Sequence, residues 1–522
     1  MKCFYRSCLA VMISTSISFA DFQINTHTSG NQTIPALAAD ANGNFVVVWS
    51  SYDQNGTSND IFARRFDRNT SALGGEFQVN TKTTGNQTSP AIAMNPAGNF
   101  VVAWHGPDPN GESEEDIFAR RFDPNCLPLR DEFRVNTITA DSQLSPAVAM
   151  NNDGNFVVVW ESNSVPQPGK KAICGQLYDH TGSAVGLEFV VNDANEQPVC
   201  RHPAAVMQDN GKFIVVWVRE STKKSIWVRH FDTNGTAPYL PKKVSDSNFS
   251  SLTRPGIAID ANGNYAIVWD GHLSSSLEDD VYLKRYHYSH APLHSQFRVN
   301  TSTTGAQSDP AIAMAGDGRF IVVWQNDTDS EITKKDIFGQ RFPAQGEYIG
   351  NPLLTGDEFR INTYTVDDQK YPAVVMDDSA AFITAWQSNE QDNSGFGIFG
   401  KIGPIIGSAD LTGDGFINFA DYRFLAAEWL KQSNPLTADL VDDNKIDYKD
   451  LFAFCDQWLT YCYDCTQADL HSDNKIDFKD YVIFANNWLK QGPKLAGDTT
   501  GNGTVDFLDL IALTSHWTRS CQ

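Results

Sequence analysis

The residues Asp410-Leu411-Thr412-Gly413-Asp414-Gly415-Phe416-Ile417-Asn418-Phe419-Ala420-Asp421 place oxygen-bearing side chains at positions 1, 3, 5, 9 and 12 of one short stretch. Glycine stands at position 6 and an apolar residue at 8. Calcium takes roughly six to eight hard oxygen ligands, and a loop of this length and spacing delivers them, position 7 through its main-chain carbonyl. The expected ligands are Asp410, Thr412, Asp414, Phe416 by its carbonyl, Asn418 and Asp421. The pattern returns from Asp439, Asp469 and Asp498. The fourth loop is as complete as the first, with Asp498, Thr500, Asn502, Thr504 by its carbonyl, Asp506 and Asp509 around Gly503. The middle loops offer Asp439, Asp443, Lys445 by its carbonyl, Asp447 and Asp450, then Asp469, Asp473, Lys475 by its carbonyl, Asp477 and Asp480. Val441 and His471 stand at their position 3, so both sites should be weaker unless Asp442, Ser472 or water compensates. Asn444 and Asn474 replace the glycine, and asparagine tolerates the left-handed conformation that the turn requires.

Each loop leads into a stretch with apolar residues three and four apart: Tyr422, Leu425 and Trp429; Leu451, Phe454 and Trp458; Tyr481, Phe484 and Trp488; Leu510, Leu513 and Trp517. That spacing predicts one helix after each loop, its apolar stripe packing the units in pairs. A calcium loop with aspartate at position 12, one following helix and no entering helix resembles the type I dockerin repeat. Residues 404–522 then read as a double dockerin-like module, a small all-α domain of paired calcium-loop and helix units. The resemblance implies Asp410, Asp414, Asn418, Asp421 and their equivalents as calcium ligands, and a cohesin-like or other cell-surface protein as partner. Cohesin-binding dockerins show a Ser-Thr type pair at loop positions 10 and 11. Here those positions hold Phe419-Ala420, Tyr448-Lys449, Phe478-Lys479 and Phe507-Leu508, so calcium binding carries over better than cohesin binding.

The larger part of the chain is built on a different unit. A polar turn running into an apolar strand that ends in tryptophan, as in Asn42-Gly43-Asn44-Phe45-Val46-Val47-Val48-Trp49, returns with Trp104, Trp160, Trp217, Trp269, Trp324 and Trp386. A fixed period of this size signals a repeat architecture. Each copy reads as four strands, exemplified by Glu76-Phe77-Gln78-Val79-Asn80, then Ser89-Pro90-Ala91-Ile92-Ala93-Met94, the tryptophan strand, and Asp116-Ile117-Phe118-Ala119-Arg120-Arg121-Phe122. Asn42-Gly43, Asn210-Gly211 and Asn262-Gly263 are pairs that tolerate positive φ in tight turns. Asp377-Asp378-Ser379-Ala380 has no glycine, which predicts a longer turn in the seventh copy. The expected fold of residues 21–403 is mainly β, a seven-bladed propeller of four-stranded blades. Phe22-Gln23-Ile24-Asn25-Thr26 is a lone strand of the first type, and the last copy lacks one, so the N-terminal strand is expected to close the ring. An open β-solenoid is the alternative. The copies resemble the Gln-Val-Asn-Thr and Val-Val-Val-Trp repeats of bacterial secreted proteins, which carry no known activity, and more loosely the Asp-box propellers of sialidases.

Lys2 and Arg6 precede an apolar run that ends at Ser18-Phe19-Ala20, the pattern of a signal peptide cleaved after Ala20, so residues 1–20 are expected to be removed and the rest exported. The run is too short for a membrane span. Of nine cysteines, Cys3 and Cys8 leave with the leader, and Cys455, Cys462, Cys465 and Cys521 fall in the C-terminal quarter, where a covalent staple gains most. A formal net charge of −23 argues against nucleic acid as a partner, because such binding neutralises phosphates with clustered Lys and Arg.

On a propeller, the loop after each tryptophan strand and the loop into the next inner strand share one face. The first of these varies most, as at 161–169 and 270–279, and such loops are where a glycan or protein ligand would bind. No GxSxG elbow, HExxH or phosphate loop is present. Glu161, Glu220 and Asp270 are unrepeated acids near that face and could form a glycosidase-type pair. His287, His290 and His294 could approach a metal. The first reading of the whole is therefore an exported, non-catalytic binding or scaffold protein with a calcium-dependent docking module, serving extracellular polysaccharide binding or degradation. The alternative is a propeller-type glycoside hydrolase or lyase attached through that module. Asymmetry separates them: an enzyme needs unrepeated acid, base or arginine groups in the central funnel.

Overall fold

Each tryptophan strand is apolar on both faces because both faces meet another blade. Phe45, Val47 and Trp49 pack with Ile24, Ile383, Ala385 and Ile398, whereas Val46 and Val48 pack with Phe100, Val102 and Trp104. Successive side chains on a strand point to opposite faces, so one Val-rich run feeds two cores. The same division repeats around the molecule, and seven separate apolar clusters fill seven junctions between neighbouring blades. The tryptophan always faces the preceding blade. All seven tryptophans are buried, and truncating one to alanine is expected to cost roughly 3–5 kcal/mol.

The computed structural model describes residues 21–403 apart from 57, 109–113, 164–170, 194–198, 247–248, 274–277, 328–333, 343, 345–357 and 379–380. The four expected calcium loops, from Asp410 to Asp509, with their helices and cysteines, lie outside the described residues, as does the leader. Phe19–Gly403 is one unit by its internal contacts. Among the described residues are seven antiparallel four-stranded sheets. In the first, Gln32–Ala39, Phe45–Tyr52, Asn59–Phe66 and Phe77–Gln78 follow one another from the axis outward. The inner strands touch in sequence, and that of the first blade meets Gln369–Met376 of the seventh, which closes the ring. The described residues of 21–403 form a seven-bladed β-propeller, and the open solenoid is excluded for them.

Closure uses the N-terminal strand. Phe22–Gln23 pairs antiparallel with Phe396–Gly403 and completes the seventh sheet. The strand reproduces its counterparts residue for residue. Asn25 Oδ1 accepts the Ile398 amide at 2.7 Å, as Asn80 Oδ1 accepts that of Ile61 at 2.7 Å. Ile24 is buried like Val79. Glu76 accepts the amide of Thr26 at 2.8 Å, Glu132 that of Thr81 at 2.6 Å, and Asp21 takes this place by accepting those of Thr363 and Tyr364 at 3.0 and 2.9 Å. The Val-Asn-Thr motif thus fastens blades together rather than presenting a ligand site.

The Asn-Gly turns take positive φ as expected, at the glycine of each pair: +79° at Gly43, +81° at Gly211 and +87° at Gly263. The first of these turns is held by Asp40, whose Oδ1 accepts the amides of Asn42 and Asn44 at 2.9 Å each. One expectation about turns needs correction: the seventh turn is not longer. Asp377 N donates to Ala381 O at 2.9 Å, the spacing of Asp40 N to Asn44 O in the first blade, because the aspartate and not the glycine sets the loop. Its Oδ1 accepts the Ala381 amide at 3.0 Å.

Candidate functional site

Every blade has a proline on or just before its inner strand, preceded by a residue that varies among the blades: Ile34, Ser89, Ser145, His202, Arg254, Asp309 and Tyr371. The prolines are buried, and the residues before them are partly or fully exposed. In six blades this residue has φ between 51° and 55°. Pairing with the tryptophan strand slips there, as between Thr33 and Ala36 or Arg201 and Ala204. Such a bulge re-aims one side chain and withdraws its amide from the ladder. Left-handed backbone is a steric outlier for a β-branched or bulky residue such as Ile34 or Tyr371, and outliers of this kind gather at functional sites.

The withdrawn amides need acceptors, and the blade before supplies them through the residue that follows its tryptophan. Gln387 Oε1 accepts from Ile34 N at 3.0 Å, His105 Nδ1 from Ser145 N at 3.4 Å, Glu161 Oε1 from His202 N at 2.8 Å, and Gln325 Oε1 from Tyr371 N at 3.1 Å. In the fourth blade that position is Val218, which has no acceptor to offer. The fifth inner strand is correspondingly the exception. It begins late, at Gly256, and Arg254 before it is exposed.

Around Arg254 the ring is charged and unrepeated. Burial, then the Arg254 charge, lowers His105 to about 4. Burial, with Arg254 and Arg201, does the same to His202. Both imidazoles are therefore neutral near pH 7. His202 Nδ1 lies 3.3 Å from Glu161 Oε1. Glu161 is held by the His202 amide and the Ser145 hydroxyl, and burial raises its pKa. Burial also raises Asp309, opposed by Arg254. Asp309 accepts from Gln325 Nε2 at 2.8 Å, which ties it to the residue that holds Tyr371.

No protein-family model matches the chain. No curated protein matches it either. Among solved structures it is similar to a polysaccharide lyase described as an ulvan lyase, at 11% identity over 74% of this chain and 95% of that one, with a TM-score of 0.47. It is similar to a protein of unknown function from Dyadobacter fermentans at 12% identity, over 74% and 98% of the two chains, with a TM-score of 0.45. A third is an α-L-arabinanase from Penicillium chrysogenum, at 13% identity over 60% and 93%, with a TM-score of 0.39. Similarities this distant assign the chain no activity.

The acids singled out from sequence do not converge as a glycosidase pair. Asp270 is 0% exposed, takes a hydrogen bond from the Thr253 hydroxyl, and is pushed up to about 8 by burial, with Asp309 and Asp279 adding to the shift. Glu161 is 3% exposed and engaged as described. Glu220 pairs with Arg201 and Lys224 at 3.1 Å each. The three histidines part company too. His290 lies against His230 with ring centroids 3.6 Å apart and planes tilted by 35°, His287 Nδ1 meets Ser289 Oγ at 2.9 Å, and His294 Nδ1 meets the Ser295 carbonyl at 2.8 Å. Among the described residues no group of three His, Cys, Asp or Glu is placed to hold a metal. Cys174 and Cys200 are buried. Sequence reasoning missed His105, His202, Arg254, Asp309 and Tyr371. The signal lay in two columns of the repeat, the residue after tryptophan and the residue before proline, which change while the tryptophan and the proline beside them do not.

Proposed function

We propose that the propeller cleaves an acidic polysaccharide by β-elimination at the ring of pre-proline residues. The observation that carries this reading is an exposed arginine on the ring whose charge reaches two imidazoles that are neutral at physiological pH. A guanidinium binds a uronate carboxylate through two parallel hydrogen bonds and neutralises it, which acidifies the C5 proton. His202, neutral and with Nδ1 3.3 Å from Glu161 Oε1, offers the lone pair of its imidazole to take that proton. The C5–H electrons form the C4–C5 double bond, the C4–O4 bond breaks, and the departing oxygen takes a proton from Tyr371, the phenol of the ring. Hydrolysis by paired carboxylates fits less well, since Glu161 and Asp270 are buried. The unrepeated groups of the ring also favour an enzyme over a purely binding propeller.

Residues 404–522 complete the proposal as a calcium-dependent dockerin-like attachment, holding an exported enzyme to a cell-surface or extracellular partner. The test is incubation of the purified full chain with uronate-containing polysaccharides. Chain cleavage with appearance of ultraviolet-absorbing unsaturated ends is expected, and Arg254→Ala should lower the rate about 10²–10³-fold, as when a preorganised charge-stabilising donor is removed. New reducing ends without ultraviolet absorption would replace elimination by hydrolysis, and binding without cleavage would restore the non-catalytic reading.

A further inference from the structure

The rim of the propeller carries a second unrepeated feature, at the junction of the second and third blades. Arg121, Arg130 and Arg134 line a cleft of about 340 Å3, whose opposite wall includes Gln176, Tyr178 and Thr181. A shallower depression of about 480 Å3 continues past Arg130 to Arg120 and Pro128. Arg130 stands where the first, third and fifth blades have Gly74, Gly186 and His294, so its guanidinium is no part of the repeat.

Two of the three arginines have structural work. Arg134 pairs with buried Asp116 at 3.5 Å, and Arg121 donates to the His180 carbonyl. Arg130 is exposed, and its charge, after burial, disfavours the protonated form of Arg121. Asp131 is the one carboxylate in the lining. With Arg134 paired to Asp116 and Arg121 under the influence of Asp179, Arg130 is the guanidinium of the lining that the fold does not use, an exposed cation on a chain of net charge −23. The wall is rigid, because Tyr178 stacks on Phe156 at 4.8 Å between centroids and its hydroxyl donates to the Val135 carbonyl at 3.4 Å. The neutral groups of the wall are engaged within the blade, Gln176 Nε2 donating to the Leu177 and Val185 carbonyls at 3.0 and 3.3 Å and Thr181 Oγ1 to Asp179 Oδ1 at 2.6 Å, so recognition falls to Arg130.

We propose that this cleft is a second saccharide site, for a sugar unit bearing a carboxylate or a sulfate ester. It rests on the polysaccharide reading of the channel and adds a non-catalytic hold on the same polymer. Its volume lies at the low end for small-molecule sites, roughly 300–1,000 Å3. Arginine is suited to either anion because its planar fork meets two oxygens at once. A second contact raises the local concentration of polymer at the channel without any new catalytic group.

The experiment uses the full chain carrying Arg254→Ala, so that turnover is cut about 10²–10³-fold and the channel arginine does not contribute. Three probes are titrated by calorimetry: a uronate tetrasaccharide, its carboxyl-reduced counterpart, and a neutral oligosaccharide carrying sulfate esters. At least one charged probe should bind, and adding Arg130→Glu should weaken it about tenfold or more, the loss of a charge-assisted hydrogen bond. The melting temperature should not change, because Arg130 is exposed. The carboxyl-reduced probe should bind neither variant, and the tighter of the two charged probes identifies the anion. Failure of both charged probes to bind Arg254→Ala overturns the proposal, and so does equal affinity with and without Arg130→Glu. Failure of the unsubstituted chain to form unsaturated ends would sink the channel reading alone.

Discussion

Glu161 occupies in the third blade the place that Gln325 and Gln387 occupy in the sixth and seventh, each sending an oxygen to a pre-proline amide of the next blade. The carboxylate is therefore not needed for the bulge, and glutamine is the natural substitute. Glu161→Gln should keep the fold, with unfolding free energy within about 1 kcal/mol, because the accepting oxygen remains. It removes the charge beside His202 Nδ1, so turnover should fall about tenfold or more while substrate affinity holds. Unchanged turnover would reduce Glu161 to an amide cap. His202→Ala should cost about 10²–10⁴-fold, the usual contribution of a general base. The pH dependence follows from the sign of the shift. Burial and Arg254 lower His202 to about 4, so the reactive neutral form persists far below the pH at which a free imidazole would protonate. The rate profile measured from neutral pH downward should stay level to about pH 5 and fall on approach to pH 4. A fall centred near pH 6.5 would show an imidazole outside this environment.

At the scale of the strand, Asp21-Phe22-Gln23-Ile24-Asn25 joins the two ends of the propeller. Asp21→Ala removes the acceptor of the Thr363 and Tyr364 amides, on an exposed edge, and should cost about 1 kcal/mol. Ile24→Ala empties a fully buried position and should cost roughly 2–5 kcal/mol. Both should lower the denaturant midpoint, and a larger effect of Asp21→Ala would contradict the assignment of the core to Ile24. This strand was legible in the sequence because Phe-Gln-Ile-Asn repeats Phe-Gln-Val-Asn, and the tryptophan strands were legible because each is a continuous apolar run after a polar turn. The bulges were not legible. A residue before proline favours extended backbone, so Ser-Pro-Ala-Ile-Ala reads as a straight strand. Positive φ at Ile34 and Tyr371 is imposed by an acceptor on the neighbouring blade, a contact between residues far apart in the chain. The candidate site was hidden for the same reason. Its residues come from different blades and meet only after the ring closes.

The molecule as a whole has two parts that should respond to different conditions. The propeller is held by seven apolar junctions and by amide clasps, none of which uses a metal among the described residues. Residues 404–522 offer oxygen ligands in four loops, and ligands not gathered in the unfolded chain convert metal binding into folding energy. In calcium the full chain should therefore melt in two steps, and EDTA should lower the step that belongs to the C-terminal part while leaving the propeller step in place. The loops starting at Asp410 and Asp498 keep an oxygen at position 3, whereas Val441 and His471 do not, so a calcium titration should resolve a tighter and a weaker class of site. Asp410→Ala and Asp498→Ala together should abolish the tighter class and mimic EDTA. A single melting step that EDTA lowers as one would show that the halves fold together, and calcium-independent melting of both would remove the metal from the attachment.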